Sequence, residues 1–228
     1  MKHTAYFNLV DAFKEEGCPI CHLIKKSIHQ SMDSFLYESV NDPGTRKGIR
    51  STLGYCNKHA WQLRQFGDGF GLSIIYQDLI EILLEKLTAI DGNTATEKSI
   101  KKMLNTSDMR LFKKINENCG FCKKTREVEE RNIAEFLEDF REPELHIAFT
   151  GGFGLCLPHM LIAIDRSKDV QVSRDILKTE SEKLKKLSAE LKEFDRKHDY
   201  RFSGEGFGKE GNSWIRAIEK MIGKEGIF

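Results

Sequence analysis

Cys18-Pro19-Ile20-Cys21 with Cys56-Asn57-Lys58-His59, and later Cys119-Gly120-Phe121-Cys122 with Cys156-Leu157-Pro158-His159, are the stretches that decide how this chain folds. Each half offers a C-x-x-C and then a C-x-x-H, and the two sets use all 6 cysteines of the 228 residues. Three thiolates and an imidazole complete one tetrahedral shell, so Cys18, Cys21, Cys56, His59, Cys119, Cys122, Cys156 and His159 are the expected ligands of two metal centres. The spacing has a local cause. Ligands three positions apart share one side of a helical turn, and a helix start offers free N–H groups and a partial positive charge that favour thiolate.

The two halves keep a fixed register. Cys119 and Cys122 follow Cys18 and Cys21 by 101 residues, as Phe136-Leu137 follow Phe35-Leu36. Past the next loop the offset becomes 100, shared by Gly54 and Gly154, Cys56 and Cys156, and His59 and His159. Duplication with one deleted loop residue explains this, and two copies are too few for a solenoid. The segments are then 1–92, a first helical repeat; 93–200, a second; and 201–228, a glycine-rich stretch with a last helix. Spacing does not fix the pairing: a C-x-x-C can meet the C-x-x-H of its own half or of the other.

Charge and composition narrow the class. Lys plus Arg number 36 against 35 Asp plus Glu, a net charge of +1, which gives nucleic acid or an anionic membrane no electrostatic hold. The 39% hydrophobic and 31% charged content, with only 4 prolines, suits a soluble, helix-rich globule. No stretch is apolar enough to span a bilayer, and Met1 to Phe13 lacks the apolar core of a signal peptide. The expected location is the cytoplasm, where reduced thiols serve as ligands or redox groups more readily than as structural disulfides.

Periodicity predicts an all-α fold with little or no sheet. Tyr6, Leu9, Val10 and Phe13 stripe a first helix, which Gly17 breaks; Ile24, Ile28, Met32, Phe35, Leu36 and Val40 stripe the next. Asn41-Asp42-Pro43-Gly44 reads as a stop, followed by a polar loop to Gly54. Cys56 and His59 open a short helix with Trp61, Leu63 and Phe66. After the Gly67–Gly71 break, Leu72, Ile75, Leu79, Ile82, Leu83, Leu87 and Ile90 form the expected core stripe of a long helix. Asp91-Gly92-Asn93 closes it, and Thr94 with Glu97 suggests a capping box. In the second copy Leu111, Phe112 and Ile115 precede the C-x-x-C, and Ile133, Phe136, Leu137 and Phe140 follow it. Pro143 ends that helix, and Gly151-Gly152-Phe153-Gly154 leads to Cys156. A helix from about Val170 to Lys197 carries Leu177, Leu184, Leu187, Leu191 and Phe194 for packing on another helix. Trp214, Ile218, Met221 and Ile222 stripe the last one.

Other readings of these residues fare less well. Cys18-Pro19-Ile20-Cys21-His22 matches a covalent haem signature, but Lys123 stands where His22 would repeat, and Cys56 and His59 are left unexplained. A thioredoxin-like site is disfavoured because a helix, not a strand, precedes the C-P-x-C. His29 and Glu130, each eight residues past its C-x-x-C, read as surface residues rather than outer ligands. His3, His146 and His198 read as ordinary surface histidines. The glycine runs fit no phosphate-binding fingerprint. Trp214 and Arg216 suit a partner or a neighbouring subunit, although packing of the tail onto the bundle is the preferred reading.

Cys18-Pro19-x-Cys21, Leu36-Tyr37-Glu38, Asn41-Asp42-Pro43 and Gly54-Tyr55-Cys56-x-x-His59-Ala60-Trp61 resemble an uncharacterised family of bacterial and archaeal proteins. The likeness continues through Asp199-Tyr200-Arg201-Phe202 and Ser213-Trp214-Ile215-Arg216-Ala217, while Met160-Leu161 depart from Ala60-Trp61. The resemblance implies metal binding and supplies no substrate. The first functional reading is a binding or scaffold module with two structural zinc ions, an unidentified protein partner and a possible homodimer. An iron–sulfur or redox protein in electron transfer or cluster handling is the alternative, and an enzyme whose metal keeps an open position is the third.

Overall fold

The computed structural model describes residues 4–91, 118–202 and 204–228. Its regular elements are all helical: α1 Thr4–Ala12, α2 Pro19–Ser34, α3 Pro43–Thr52, α4 Asn57–Arg64, α5 Gly69–Asp91, α6 Gly120–Glu138, α7 Pro143–Gly151, α8 Leu157–Arg166, α9 Val170–His198 and α10 Ser213–Ile222. A π-turn, Phe35–Ser39, extends α2, and short 3-10 turns at Tyr200–Phe202 and Lys209–Asn212 link α9 to α10. No strand occurs among the described residues. Gly92-Asn93, the Thr94–Glu97 box, Leu111, Phe112, Ile115 and His3 lie outside those residues, as does the side chain of Ile90.

Compactness groups Met1–Lys26 with Glu127–Phe228 in one unit and Ser27–Arg126 in another. This grouping is distinct from the segments 1–92, 93–200 and 201–228, which mark copies of sequence. In the larger unit Phe13, Phe136, Phe140 and Phe149 are buried in mutual contact, with ring centroids 5.4 to 6.0 Å apart and mostly edge to face. Such pairs add roughly 0.5–1.5 kcal/mol beyond the area they bury. Leu9 and Val10 seat α1 against α7, while α9 lies against α8 and α10. In the smaller unit Ile28, Met32, Phe35, Ile49, Leu53, Leu63 and Ile75 are buried. Arg46 clamps α3 to α5, its Nη2 and Nε reaching the Asp78 carboxylate at 2.5 and 2.9 Å.

Two helices stand where loops are expected. Asp42-Pro43 opens α3: the Asp42 carboxylate accepts the Thr45 N–H at 2.6 Å, and proline fills the first turn, where its missing N–H costs nothing. Pro143 likewise opens α7 after α6 has already stopped at Glu138. Proline and its neighbours, expected as stop signals, act here as N-terminal signals.

Three apolar stripes are also less buried than expected. In α5 Ile75 is buried but Leu87 is exposed, since α3 packs on the N-terminal half of that helix. In α9 Val172 and Ile176 are buried, while Leu177 and Leu184 lie at the surface. In α10 Trp214, Ile218, Met221 and Ile222 are all exposed, because the helix is fixed to the unit by its polar side.

Candidate metal centres

The eight expected ligand residues gather into two groups of four, and the pairing crosses the sequence halves. Cys18 and Cys21 meet Cys156 and His159; Cys56 and His59 meet Cys119 and Cys122. Within each group the ligand atoms all lie within 4.8 Å of one another. All are buried except Cys122, which is half-buried.

Helix starts build both groups. Cys56 and Cys156 are the N-caps of α4 and α8, their carbonyls accepting the N–H of Ala60 at 2.9 Å and of Met160 at 2.8 Å. Their sulfurs do not cap the helix and turn toward the cluster. Cys18 and Cys119 stand in the same way before α2 and α6, with carbonyls receiving the N–H of His22 and Lys123, each at 3.0 Å. The second member of every pair then falls in the first helical turn. All four pairs therefore sit at positive helix ends, as the spacing predicts.

Both C-x-x-H loops need glycine two residues earlier. Gly54 and Gly154 have φ of +94° and +79°, and a Cβ on Gly54 would come within 2.7 Å of Leu79 Cδ1. The equivalent atom on Gly154 would strike the Glu180 carboxylate.

Distances test whether one ion suits each group. Bonds of about 2.3 Å to sulfur and 2.0–2.1 Å to nitrogen make the edges of a tetrahedron roughly 3.5–3.8 Å. In the first group Cys21 Sγ lies 3.8 Å from Cys156 Sγ, and His159 Nδ1 lies 3.4, 3.5 and 3.1 Å from the sulfurs of Cys18, Cys21 and Cys156. In the second, Cys56 Sγ is 3.5 Å from Cys122 Sγ, and His59 Nδ1 is 3.1, 3.5 and 3.3 Å from Cys56, Cys119 and Cys122. Both histidines present Nδ1. All six cysteines are free, and the sulfurs are far beyond disulfide bonding distance.

Protonation is shared unevenly. Burial opposes ionisation of Cys18, yet hydrogen bonding with Cys156, Cys21 and His159 carries its pKa well below the ordinary thiol range. Cys21 moves up, through hydrogen bonding to Cys156 and Cys18 and through burial. Burial lowers the His159 pKa, but Cys156, Cys18 and Glu129 outweigh it and raise it to about 11. In the second group Cys119 is lowered by His59 and backbone N–H groups against its own burial, whereas burial and Cys56 push Cys122 up to about 12. Each pocket thus mixes thiolate with protons that a cation would displace.

The surroundings of the first group include residues that no motif announces. Glu129 Oε1 lies 3.1 Å from His159 Nε2, the nitrogen turned away from the sulfurs. Its counterpart in the first copy is Ile28, so the repeat gives no hint of it. Phe228 packs on the His159 ring with centroids 5.0 Å apart, and the Lys224 N–H points to Cys21 Sγ at 3.5 Å. Glu180 and Lys220 form a buried ion pair that holds the strand of chain leading into Cys156. Glu180 accepts the Leu155 N–H at 2.6 Å; Lys220 donates to the carbonyls of Leu155 and Phe153 at 2.7 and 3.0 Å. His29 and Glu130 remain surface residues: His29 lies against Phe66, and Glu130 pairs with Arg166.

Fold and sites together define a helical protein with two buried Cys3His groups, each able to hold a metal ion. The chain belongs to a family of unknown function (DUF6062), whose model matches residues 1–226. It is similar to "Uncharacterized 23.9 kDa protein in xynA 3'region" of Caldicellulosiruptor sp. (strain Rt8B.4), 29% identical over 221 residues that cover 95% of this chain and 100% of that protein. No solved structure matches. No helix among the described residues is long and apolar enough to cross a membrane.

Proposed function

We propose that each Cys3His group holds one zinc ion in a closed structural shell, and that the chain serves as a binding or scaffold module for a protein partner. The observation that carries this reading is the gathering of four soft donors within 4.8 Å, twice, from segments distant in sequence. Zinc suits three thiolates and an imidazole in a tetrahedron, and four protein ligands leave no open position for substrate. An iron–sulfur cluster would interpose metal and sulfide between its ligands, so a span this short favours one ion. Zinc binding to thiolates also suits the reducing cytoplasm, where we place the protein. Bound zinc offsets the entropy of closing two long loops, so metal and fold are coupled.

Elemental analysis with visible spectroscopy on anaerobically purified protein tests this. About two zinc per chain and no colour are expected. Iron with broad visible absorption would replace the zinc reading by the cluster one.

A further inference from the structure

Helix α10 faces the wrong way for a helix that ends its packing on its own chain. Trp214, Ile215, Ile218, Met221 and Ile222 are between 45% and 63% exposed. At about 100° per residue they form one stripe, within roughly 60° of Ile218 on either side. The opposite side is polar and turned inward: Ser213 and Lys220 are buried, and Arg216 is paired with Glu190. Ion pairs and backbone carbonyls hold the helix in place, which leaves its apolar side without a partner inside the described chain.

We infer that this stripe is a homodimer interface, in which α10 packs antiparallel on α10 of a second copy about a twofold axis at Ile218. The pattern suits a second copy. Measured from Ile218, the stripe falls at −4, −3, 0, +3 and +4, so it reads the same in both directions. An antiparallel partner sets Trp214 opposite Ile222, Ile215 opposite Met221, and Ile218 opposite itself, as an isologous contact requires.

The area agrees. With roughly 200 Å² for a fully exposed large side chain, the stripe presents about 500 Å² per copy. Burying both stripes completely removes about 1,000 Å² from water, the lower threshold for a specific interface.

Sedimentation equilibrium of the metal-loaded full chain tests the inference. Wild type is expected at twice 26.2 kDa at micromolar concentration. Ile218→Glu and Ile218→Lys, each placing like charges face to face, should be monomers with unchanged helicity and metal content, and an equimolar mixture should regain the dimer. Trp214→Gln, at an exposed end of the stripe, is the second variant should either charge disturb the fold, and it should weaken the dimer. Tyr37→Glu, at an exposed position in the other unit, should remain dimeric. A monomeric wild type would overturn the inference, as would charge variants that stay dimeric or a mixture that stays monomeric.

Discussion

The two Cys3His groups use the same ligands in the same helical positions, yet their settings differ. Around Cys18, Cys21, Cys156 and His159 every ligand is buried; Glu129 orients the histidine, Phe228 covers it, and the Glu180–Lys220 pair holds the approach to Cys156. Around Cys56, His59, Cys119 and Cys122 the support is aromatic. Tyr55 and Phe121 lie 4.8 Å apart, with Phe35 and the His59 ring beside them, and Cys122 is half-buried. Leu79, half-buried, stands where the copy has Glu180: each is the side chain that a Cβ on the loop glycine, Gly54 or Gly154, would meet. Duplication copied the ligands, and their surroundings diverged. An ion held by the first group would be the better enclosed, and one held by the second the more open to exchange.

The largest expected difference comes from the buried pair. Glu180→Ala strands the Lys220 charge and should cost roughly 3–5 kcal/mol, whereas Ile80→Ala, at an exposed position of the other unit, should change stability by less than about 0.5 kcal/mol. Equal losses in denaturant melts would erase the contrast. Next, Glu129→Leu should weaken metal binding at His159 by about 10- to 100-fold, through the lost partner of its second ring nitrogen, and leave the other group untouched. Competition with a chelating dye, followed by native mass spectrometry, would read this.

Chelation of the wild type should then be biphasic. The first ion released should come from the group containing Cys122, and alkylation of the partly emptied protein should mark Cys56, Cys119 and Cys122 before the other thiols. Simultaneous release would speak against unequal settings.

The smallest effect concerns the tail that carries α10. Glu210 accepts the Gly208 N–H at 2.8 Å and pairs with Lys197 at 2.6 Å, which together lower its pKa to about 2. A carboxylate with a depressed folded pKa stabilises the fold above its unfolded value, and that contribution disappears as pH falls through the folded one. The gap in melting temperature between wild type and Glu210→Gln should hold from neutral pH to about 4.5 and shrink toward pH 2. A constant gap down to pH 2 would remove Glu210 from the account of the tail.

Much of this was legible in the sequence, and the rest was hidden for physical reasons. The eight cysteines and histidines of the two motif sets, the helix starts beneath them and the all-α fold follow from short-range spacing, which one chain displays directly. Pairing across the halves depends on long-range topology, and both pairings satisfy the same spacing. The helices opened by Pro43 and Pro143 were hidden because proline both ends and begins helices, and only the Asp42 cap decides the first case. Glu129, Glu180 and Lys220 carry no motif. Their importance arises from burial, which charged residues do not advertise. The apolar stripe of α10 was visible as a pattern, but its orientation was set by the polar residues opposite.

Crossed pairing can be tested by counting ions in double variants with native mass spectrometry. Cys21→Ser with His159→Ala damages one group alone, so one zinc per chain should remain, while Cys21→Ser with His59→Ala damages both and should leave none. The reverse result, one ion kept by the Cys21/His59 variant and none by the Cys21/His159 variant, would contradict the crossed arrangement.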